Sequence, residues 1–335
     1  LTVSGGSLKP EKCFWYPIEW TWKNGIATAT PAKDIEENII VKDPDGQMKE
    51  ITKLDYDGAK EILGVFQAPS GQMHSQLQKL EGIRNKFIPV LTNKYLPQEL
   101  VWIAFWGKLW PSIKYPLAAM SLTQAVADKF MTPLYKHLLP CLKVVRCLPL
   151  AYRYSTTKYG GLGLPNLFIE QTIARLSFLM MHGSANTLPG QHIRHSMEML
   201  QLEVGVGTHF FHLPYSKFGI YTTPCWLSSL WQHISNLPIT IQYKHPTFLP
   251  LQRTGDRYIM EVINNLGQPS VPNLKSINRV RLFYHCYSLA DIVNGTGTDI
   301  RKSVWTRTSP IEESSFEWPR MKPSKNDFTI WEDML

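Results

Sequence analysis

The hydrophobic pattern of the chain changes its period near residue 74, and this change limits the possible folds more than any other feature. Before it, short runs of β-branched and aromatic residues alternate with turn-forming residues, which predicts strands. After it, apolar residues recur at steps of three and four, which predicts amphipathic helices. The first helical stripe consists of Leu77, Leu80, Ile83, Phe87 and Leu91. A β-rich segment followed by a long helical one predicts an α+β fold rather than alternating β and α units.

Three runs in the β-rich segment predict strands. Residues 13–22 predict a strand with an edge or a bulge at Pro17, because proline cannot donate to a strand ladder. The turn-forming residues 43–46 predict a β-hairpin between their apolar flanks. Residues 62–66 predict a single short strand that stops before Pro69.

The rest of the chain is predicted to be mainly helical, and Pro133 is expected to start or kink the second half of its helix. After Gly295, Trp305, Trp318 and Trp331 stand among charges and prolines, which predicts an extended tail packed on the surface. The predicted helices cover residues 77–91, 98–109, 122–139, 168–182, 192–203, 224–235, 254–266 and 274–291. The predicted domains are residues 1–73, 74–158 and 159–335.

Basic residues are concentrated in the middle of the chain. The whole sequence has 35 Lys and Arg against 27 Asp and Glu, which gives a net charge of +8. Residues 74–158 account for this excess with 12 basic and three acidic residues, whereas residues 1–73 are net acidic. Such a concentration is expected where one module contacts a polyanion. It is also expected on a solvated helical face, so charge alone leaves both interpretations open.

Several classes of protein are disfavoured. The apolar stretch at 101–109 contains Lys108 and is followed by Pro111, so no bilayer-length run develops and no membrane partner is expected. Five scattered cysteines predict a reducing compartment and no disulfide framework. The chain starts at Leu1 without the pattern of a secretory signal. We therefore expect an intracellular protein, cytoplasmic or nuclear, and the back portion of a longer reading frame.

Common catalytic and metal-binding patterns are missing from the sequence. The glycine-rich residues 160–163 come without the lysine of a phosphate-binding loop. The cysteines and histidines lack the paired spacing of a zinc site, and no serine or cysteine stands in a nucleophile pattern. The acidic pairs Asp43 with Asp45 and Asp55 with Asp57 lie in predicted turns. We therefore expect no metal site in this chain.

Two short motifs carry a resemblance to a known family. Residues 4–16 contain a glycine pair, Leu8 and Lys12 ahead of an aromatic strand, and residues 60–65 contain the pair Leu63-Gly64. Their order resembles the end of the palm of a reverse transcriptase, where a loop with a glycine, a leucine and a lysine is followed by the primer-grip strand.

Later segments extend the resemblance over nearly the whole chain. Residues 114–117 and 159–171 are similar to the thumb and post-thumb of retrotransposon-encoded reverse transcriptases, of the type found in algal, oomycete and fungal genomes. Residues 317–319 and Trp331 are similar to that family's tail. The resemblance implies a small palm remnant, a basic helical thumb and a C-terminal helical region.

The family's three metal-binding aspartates belong to motifs N-terminal to these residues, and no match to them occurs here. By resemblance, the chain is a fragment of an RNA-directed DNA polymerase that positions the template–primer duplex and is inactive alone. No cofactor is expected in this chain, and magnesium only with the missing upstream motifs. The alternative is a non-catalytic helical protein that binds nucleic acid or other partners, such as a decayed retroelement remnant.

The resemblance also implies roles for individual residues. Lys12 matches a lysine that assists proton delivery to the pyrophosphate leaving group, and the alternative is a solvated lysine beside a strand. Leu63 and Gly64 would form the primer grip, although a glycine here could also mark a bulge. The residues expected to contact phosphates of the RNA or DNA template–primer duplex are Lys79, Arg84, Lys86, Lys129 and Lys136.

Overall fold

The structure is a computed structural model with an α+β fold, in which a β-rich N-terminal part is followed by helices. The chain divides into two compact units, one formed by Leu1–Thr21 with Ala27–Gln171 and the other by Trp22–Ile26 with Thr172–Leu335. The described residues are 9–23, 26–32, 35, 37–43, 45–92, 96–242, 251–267, 269–308 and 323–335. The predicted motif residues 4–8 and 317–319 lie outside these ranges.

The strands of the β-rich part form small two-stranded pairs rather than one sheet. β1 runs parallel to β6, β2 pairs with β3, and β4–β5 and β7–β8 are antiparallel. The strands are β1 (Phe14–Trp15), β2 (Ile18–Lys23), β3 (Ile26–Pro31), β4 (Ile40–Lys42), β5 (Met48–Glu50), β6 (Thr52–Lys53), β7 (Lys60–Ile62) and β8 (Val65–Gln67).

Two of the three strand predictions are confirmed, and one is wrong. The run at 13–22 is strand on both sides of a break at Tyr16 and Pro17, as the proline predicts. The hairpin around 43–46 forms, and Ile40 lies opposite Glu50. The single strand predicted over 62–66 is instead the end of β7, a turn and the start of β8.

The helical part follows the predicted stripes closely. Most boundaries agree to within four residues. The helix predicted at 254–266 begins five residues later, at Ile259, and the one predicted at 274–291 ends earlier, at Phe283. The helices are α1 (His74–Leu91), α2 (Gln98–Ala104), α3 (Trp110–Lys114), α4 (Gln124–Cys141), α5 (Leu150–Tyr154), α6 (Leu167–His182), α7 (Leu188–Val204), α8 (Tyr215–Phe218), α9 (Trp226–Ser235), α10 (Ile259–Leu266), α11 (Val271–Phe283), α12 (Leu289–Ile292) and α13 (Lys325–Met334).

Prolines inside the helices of the first unit have different effects. Pro133 lies within α4, which runs without interruption from its N-cap Thr123, so no second helix starts there. Between α2 and α3 the chain forms a π-helical segment, in which the Trp110 N–H donates to the Phe105 carbonyl. Pro111 accounts for this wider turn, because it has no N–H to donate to the carbonyl four residues earlier.

The core of the second unit contains the two largest fully buried side chains of the described residues, Trp231 and Trp331. Trp331 belongs to α13, which packs against α11, and Phe328 beside it contacts Phe283. The prediction of an extended, surface-packed tail is therefore wrong for α13. Trp305 remains 40% exposed, and Trp318 lies outside the described residues.

Two buried arginines tie helices together in the second unit. Arg281 donates through Nη2 to the carbonyls of Leu202 and Glu203 at the C-terminal end of α7. Those carbonyls have no partner within their own helix, so the guanidinium satisfies them and opposes the negative end of the helix dipole.

The second buried arginine, Arg175, lies 4.8 Å above the Trp226 ring, with its Nη1 3.4 Å from Nδ1 of His233. Burial, followed by the charge of Arg175, lowers the pKa of His233 to about 4.

In the part of the chain that the structure describes, no helix has the length and apolarity needed to cross a membrane.

Candidate nucleic-acid interface

The tip of the β7–β8 hairpin is a strained and exposed turn. Ile62 and Val65 are paired, so Leu63 and Gly64 form a two-residue connection. Both have positive φ, 49° at Leu63 and 86° at Gly64, which is the pattern of a type I′ turn. Glycine adopts this conformation freely, whereas leucine pays about 1–2 kcal/mol. Leu63 is also 87% exposed, so the turn presents an apolar side chain to solvent.

Side chains from two helical segments hold this tip. The hydroxyl of Tyr115, just after α3, donates to the Leu63 carbonyl at 2.8 Å. The ammonium of Lys79, on α1, donates to the Gly64 carbonyl at 2.7 Å and to Oε1 of Glu61 at 2.5 Å. The main-chain oxygens of both turn residues are thus bound to the helical part of the first unit. These contacts fix the direction in which the Leu63 side chain points.

The second strand of the hairpin is attached to the same helix. Gln76, buried on α1, accepts a hydrogen bond from the Phe66 N–H at 2.7 Å through Oε1. The Lys79 ammonium lies 5.6 Å from the centre of the Phe66 ring, a cation–π distance. The second strand of the hairpin is therefore attached to the first two turns of α1.

Lys12 lies in the same β-rich region as the hairpin. It ends a short 3₁₀ helix that leads into β1, and its side chain is exposed. The Lys60 ammonium, at the start of β7, is 6.0 Å from the centre of the Phe14 ring. The Tyr16 hydroxyl donates to the Gly58 carbonyl at 2.8 Å. The strand after Lys12 and the base of the hairpin are therefore neighbours.

Arg84 is part of the core between α1 and α4, although the resemblance predicts that it contacts phosphates. It is only 8% exposed, its Nη1 donates to the Phe130 carbonyl at 2.7 Å, and its guanidinium lies 5.0 Å above the Phe130 ring. The prediction of a surface position for Arg84 is therefore wrong. The Phe130 carbonyl and ring replace the water contacts that the guanidinium loses when it is buried. The candidate interface does not include Arg84.

The other expected phosphate contacts remain at the surface. Lys86 on α1 and Lys129 and Lys136 on α4 are exposed, and no carboxylate pairs with them in the described residues. Lys129 and Lys136 are seven residues apart, so they lie on one face of α4. The Arg84–Phe130 contact joins α1 and α4, and Lys86, two residues after Arg84, lies on the opposite side of α1 from this contact. Lys79 is partly used by the hairpin, with one of its three donor protons left over.

Sequence reasoning missed the roles of the residues that hold the hairpin, namely Tyr115, Glu61 and Gln76. Tyr115 lies in the motif at 114–117, but nothing in that motif predicts a contact with a residue 52 positions away. The turn was also missed, because its first position is Leu63 rather than the asparagine or aspartate that usually announces a type I′ turn.

One carboxylate of the predicted acidic pairs, that of Asp43, stabilises a turn. Asp43 accepts hydrogen bonds from the N–H groups of Asp45 and Gln47, and it pairs with Lys49 at 2.9 Å. The bond from Lys49 holds the pKa of Asp43 below its usual value. Within the described ranges, no group of three or more histidine, cysteine or acidic side chains is placed to hold a metal ion.

No family model, no curated protein and no solved structure matches this chain.

Proposed function

We propose that this chain is the duplex-gripping part of an RNA-directed DNA polymerase, and that it binds the template–primer duplex without carrying the catalytic aspartates itself. The strained turn at Leu63 and Gly64 is the observation that carries the proposal. Strained conformations persist where surrounding contacts impose them, and they cluster at ligand-binding sites. Here Tyr115 and Lys79 impose the strain and keep an apolar side chain exposed. A primer terminus is the ligand that the resemblance assigns to this pair.

The exposed lysines support contact with a polyanion. Lys86, Lys129 and Lys136 have no carboxylate partner in the described residues, so their charges are available to phosphates. Phosphate contacts fix the register and orientation of a duplex without reading its sequence. Each one releases a counterion, so the logarithm of the affinity falls with the logarithm of the salt concentration by close to one unit per contact.

The affinity of the chain for an RNA–DNA hybrid, measured between about 50 and 200 mM salt, tests this surface. We expect Lys86→Gln, Lys129→Gln and Lys136→Gln each to weaken binding and to reduce the salt slope by close to one. Asp128→Asn is the matched control of opposite sign, because it removes an exposed negative charge beside Lys129. It should strengthen binding. A salt-independent affinity, or slopes that the lysine variants leave unchanged, would contradict the proposal.

The hairpin has its own test. Leu63→Ser should lower the affinity for a hybrid with a recessed primer end more than for a hybrid closed by loops at both ends, because only the former offers a primer terminus to the tip. The salt slope should stay as in the parent chain, since no charge is removed. An equal loss of affinity for both hybrids would contradict primer binding by the tip, but it would not contradict duplex binding by the lysines.

The polymerase part of the proposal concerns Lys12. In a longer protein that also contains the upstream palm motifs, Lys12→Leu should slow nucleotide addition and leave hybrid affinity unchanged, because the ammonium acts on the leaving pyrophosphate. The present chain alone should incorporate no nucleotide. Incorporation by this chain, or normal addition by the Lys12→Leu protein, would contradict the assignment.

A further inference from the structure

A long stretch of the first unit has no negative side chain. Residues 129–169 contain Lys129, Lys136, Lys143, Arg146, Arg153 and Lys158 but no aspartate or glutamate. The two lysines on α4 belong to the surface described above. Of the remaining four basic residues, Lys143 and Arg146 precede, and Arg153 and Lys158 belong to, a separate feature that follows α4. This feature is the connecting segment of residues 149–165, which includes the single turn of α5 and is called the tyrosine loop below.

The tyrosine loop is closed by main-chain hydrogen bonds between its two halves. The N–H of Leu162 donates to the Tyr152 carbonyl at 2.9 Å, and that of Leu164 to the Arg153 carbonyl at 3.0 Å. Gly161 lies so close to Ser155 that a Cβ there would come within 2.1 Å of the Ser155 carbonyl oxygen. The two halves therefore pack directly against each other, and the loop has a defined shape.

One side of the loop is anchored on α4. Tyr135 is buried, and burial raises the pKa of its phenol well above the usual value, so the group stays protonated and donates to the Pro165 carbonyl. The guanidinium of Arg153 lies 5.4 Å above the Tyr135 ring, and the Tyr154 ring centre is 6.2 Å away. Arg153 and Tyr154 thus form the inner side of the loop.

Two tyrosines of the loop are exposed, and one of them lies beside a positive charge. Tyr152 is 57% exposed and Tyr159 is 75% exposed. The Lys158 ammonium lies 5.7 Å from the centre of the Tyr159 ring, and Arg146 and Lys143 are exposed on the segment that leads into the loop. Large aromatic rings held in solvent by an ordered loop are available to stack on a planar partner.

We propose that the tyrosine loop binds single-stranded nucleic acid, with bases stacked on Tyr152 and Tyr159 and phosphates against Lys158 and Arg146. Single strands are bound by this combination, because unpaired bases offer their faces to aromatic rings while the backbone follows positive charge. A duplex keeps its bases stacked internally and cannot use the rings in this way. The absence of acidic side chains over residues 129–169 complements the charge of the ligand.

This inference does not depend on the duplex-gripping proposal, since it concerns different residues and a different ligand. The test is the affinity of the chain for a fluorescent oligo(dT) of about 12 nucleotides, a length typical of single-strand sites. We expect Tyr152→Ala and Tyr159→Ala each to weaken this affinity about fivefold or more, in line with the contribution of one stacked base. Neither should change the affinity for a blunt RNA–DNA hybrid.

Three controls make the result specific. Tyr159→Phe keeps the ring and should bind oligo(dT) as the parent chain does. Trp305→Ala removes an exposed aromatic ring elsewhere in the chain and should also bind normally. Lys129→Gln should weaken hybrid binding more than oligo(dT) binding, so that failure of one proposal is distinguishable from failure of the other. Parent-like oligo(dT) affinity in both alanine variants, or no single-strand binding by the parent chain, would overturn the inference.

Discussion

The phenolic oxygen of Tyr115 lies 2.8 Å from the main-chain oxygen of Leu63, so a side chain at the end of a helix holds the carbonyl of a residue in the left-handed region. Tyr115→Phe should lower the free energy of unfolding by about 0.5–1 kcal/mol, the usual net value of one hydrogen bond. Amide exchange at Ile62 and Val65 should become faster, because the hairpin loses an anchor. Tyr152→Phe, at an exposed tyrosine, should change neither quantity, and faster exchange there too would refute a local effect.

The positive φ angles at the hairpin tip should affect the free energy of unfolding. Leu63→Asn is expected to raise the free energy of unfolding by up to about 1 kcal/mol, because asparagine tolerates the left-handed region better than leucine. Gly64→Ala should lower it by about 1 kcal/mol. The new Cβ would lie 3.5 Å from the Tyr115 ring, an ordinary contact, so this loss comes from the backbone alone.

Gly82 is the matched control for the glycine at the tip. It lies within α1, has no heavy atom within 4 Å of an added Cβ, and does not have positive φ. Gly82→Ala should therefore stabilise the protein by about 1 kcal/mol, opposite in sign to Gly64→Ala. Denaturant unfolding of the three variants measures these differences, and equal signs at the two glycines would contradict the left-handed turn.

His233 predicts a dependence of stability on pH. Its pKa of about 4 in the folded chain is below the ordinary value of 6.5 in the unfolded chain, so the folded state binds the proton less well. The contribution of neutral His233 to the free energy of unfolding is complete above pH 6.5. It is lost as the pH falls toward 4, by up to about 3 kcal/mol. His233→Asn does not titrate and should remove this part of the acid sensitivity. Parallel stability curves for the parent and variant between these pH values would exclude His233 as its source.

The burial of Trp331 predicts that α13 contributes strongly to the stability of the second unit. Trp331→Ala should lower the free energy of unfolding by about 3–5 kcal/mol, because it leaves a large cavity in the core. Trp331→Phe should cost much less, since the indole N–H is buried without a hydrogen-bond partner among the described residues. Trp305→Ala, at a side chain that is 40% exposed, should be nearly neutral. Equal losses for the two alanine variants would place Trp331 outside the core.

The longer helices α1, α4, α6, α7 and α11 could be predicted from the sequence because their apolar residues repeat over three or more turns. Arg84 shows the limit of that reasoning. Its spacing from Leu80, Phe87 and Leu91 places it on the buried face of α1, but its charge suggested solvent. Only the position of Phe130, 46 residues away, shows how the guanidinium is satisfied.

The candidate site was predictable in part. The motif residues Leu63 and Gly64 were identified from their order in the chain, but their conformation was not, because a two-residue turn leaves no periodic signal. Trp331 was misjudged for a related reason. Prolines and charges precede α13 and obscure a short helix whose burial depends on α11, a contact that is distant in sequence.

The π-helical segment between α2 and α3 also lies just ahead of Tyr115, the residue that holds the hairpin tip. A regular helix advances its side chains by about 100° per residue, so an extra residue would turn every later side chain unless the turn that contains it widens. The hydrogen bond from the Trp110 N–H to the Phe105 carbonyl, five residues earlier, makes such a wider turn. The chain therefore carries one residue more between α2 and Tyr115 than a regular helix needs, a type of difference that arises through insertion rather than through substitution.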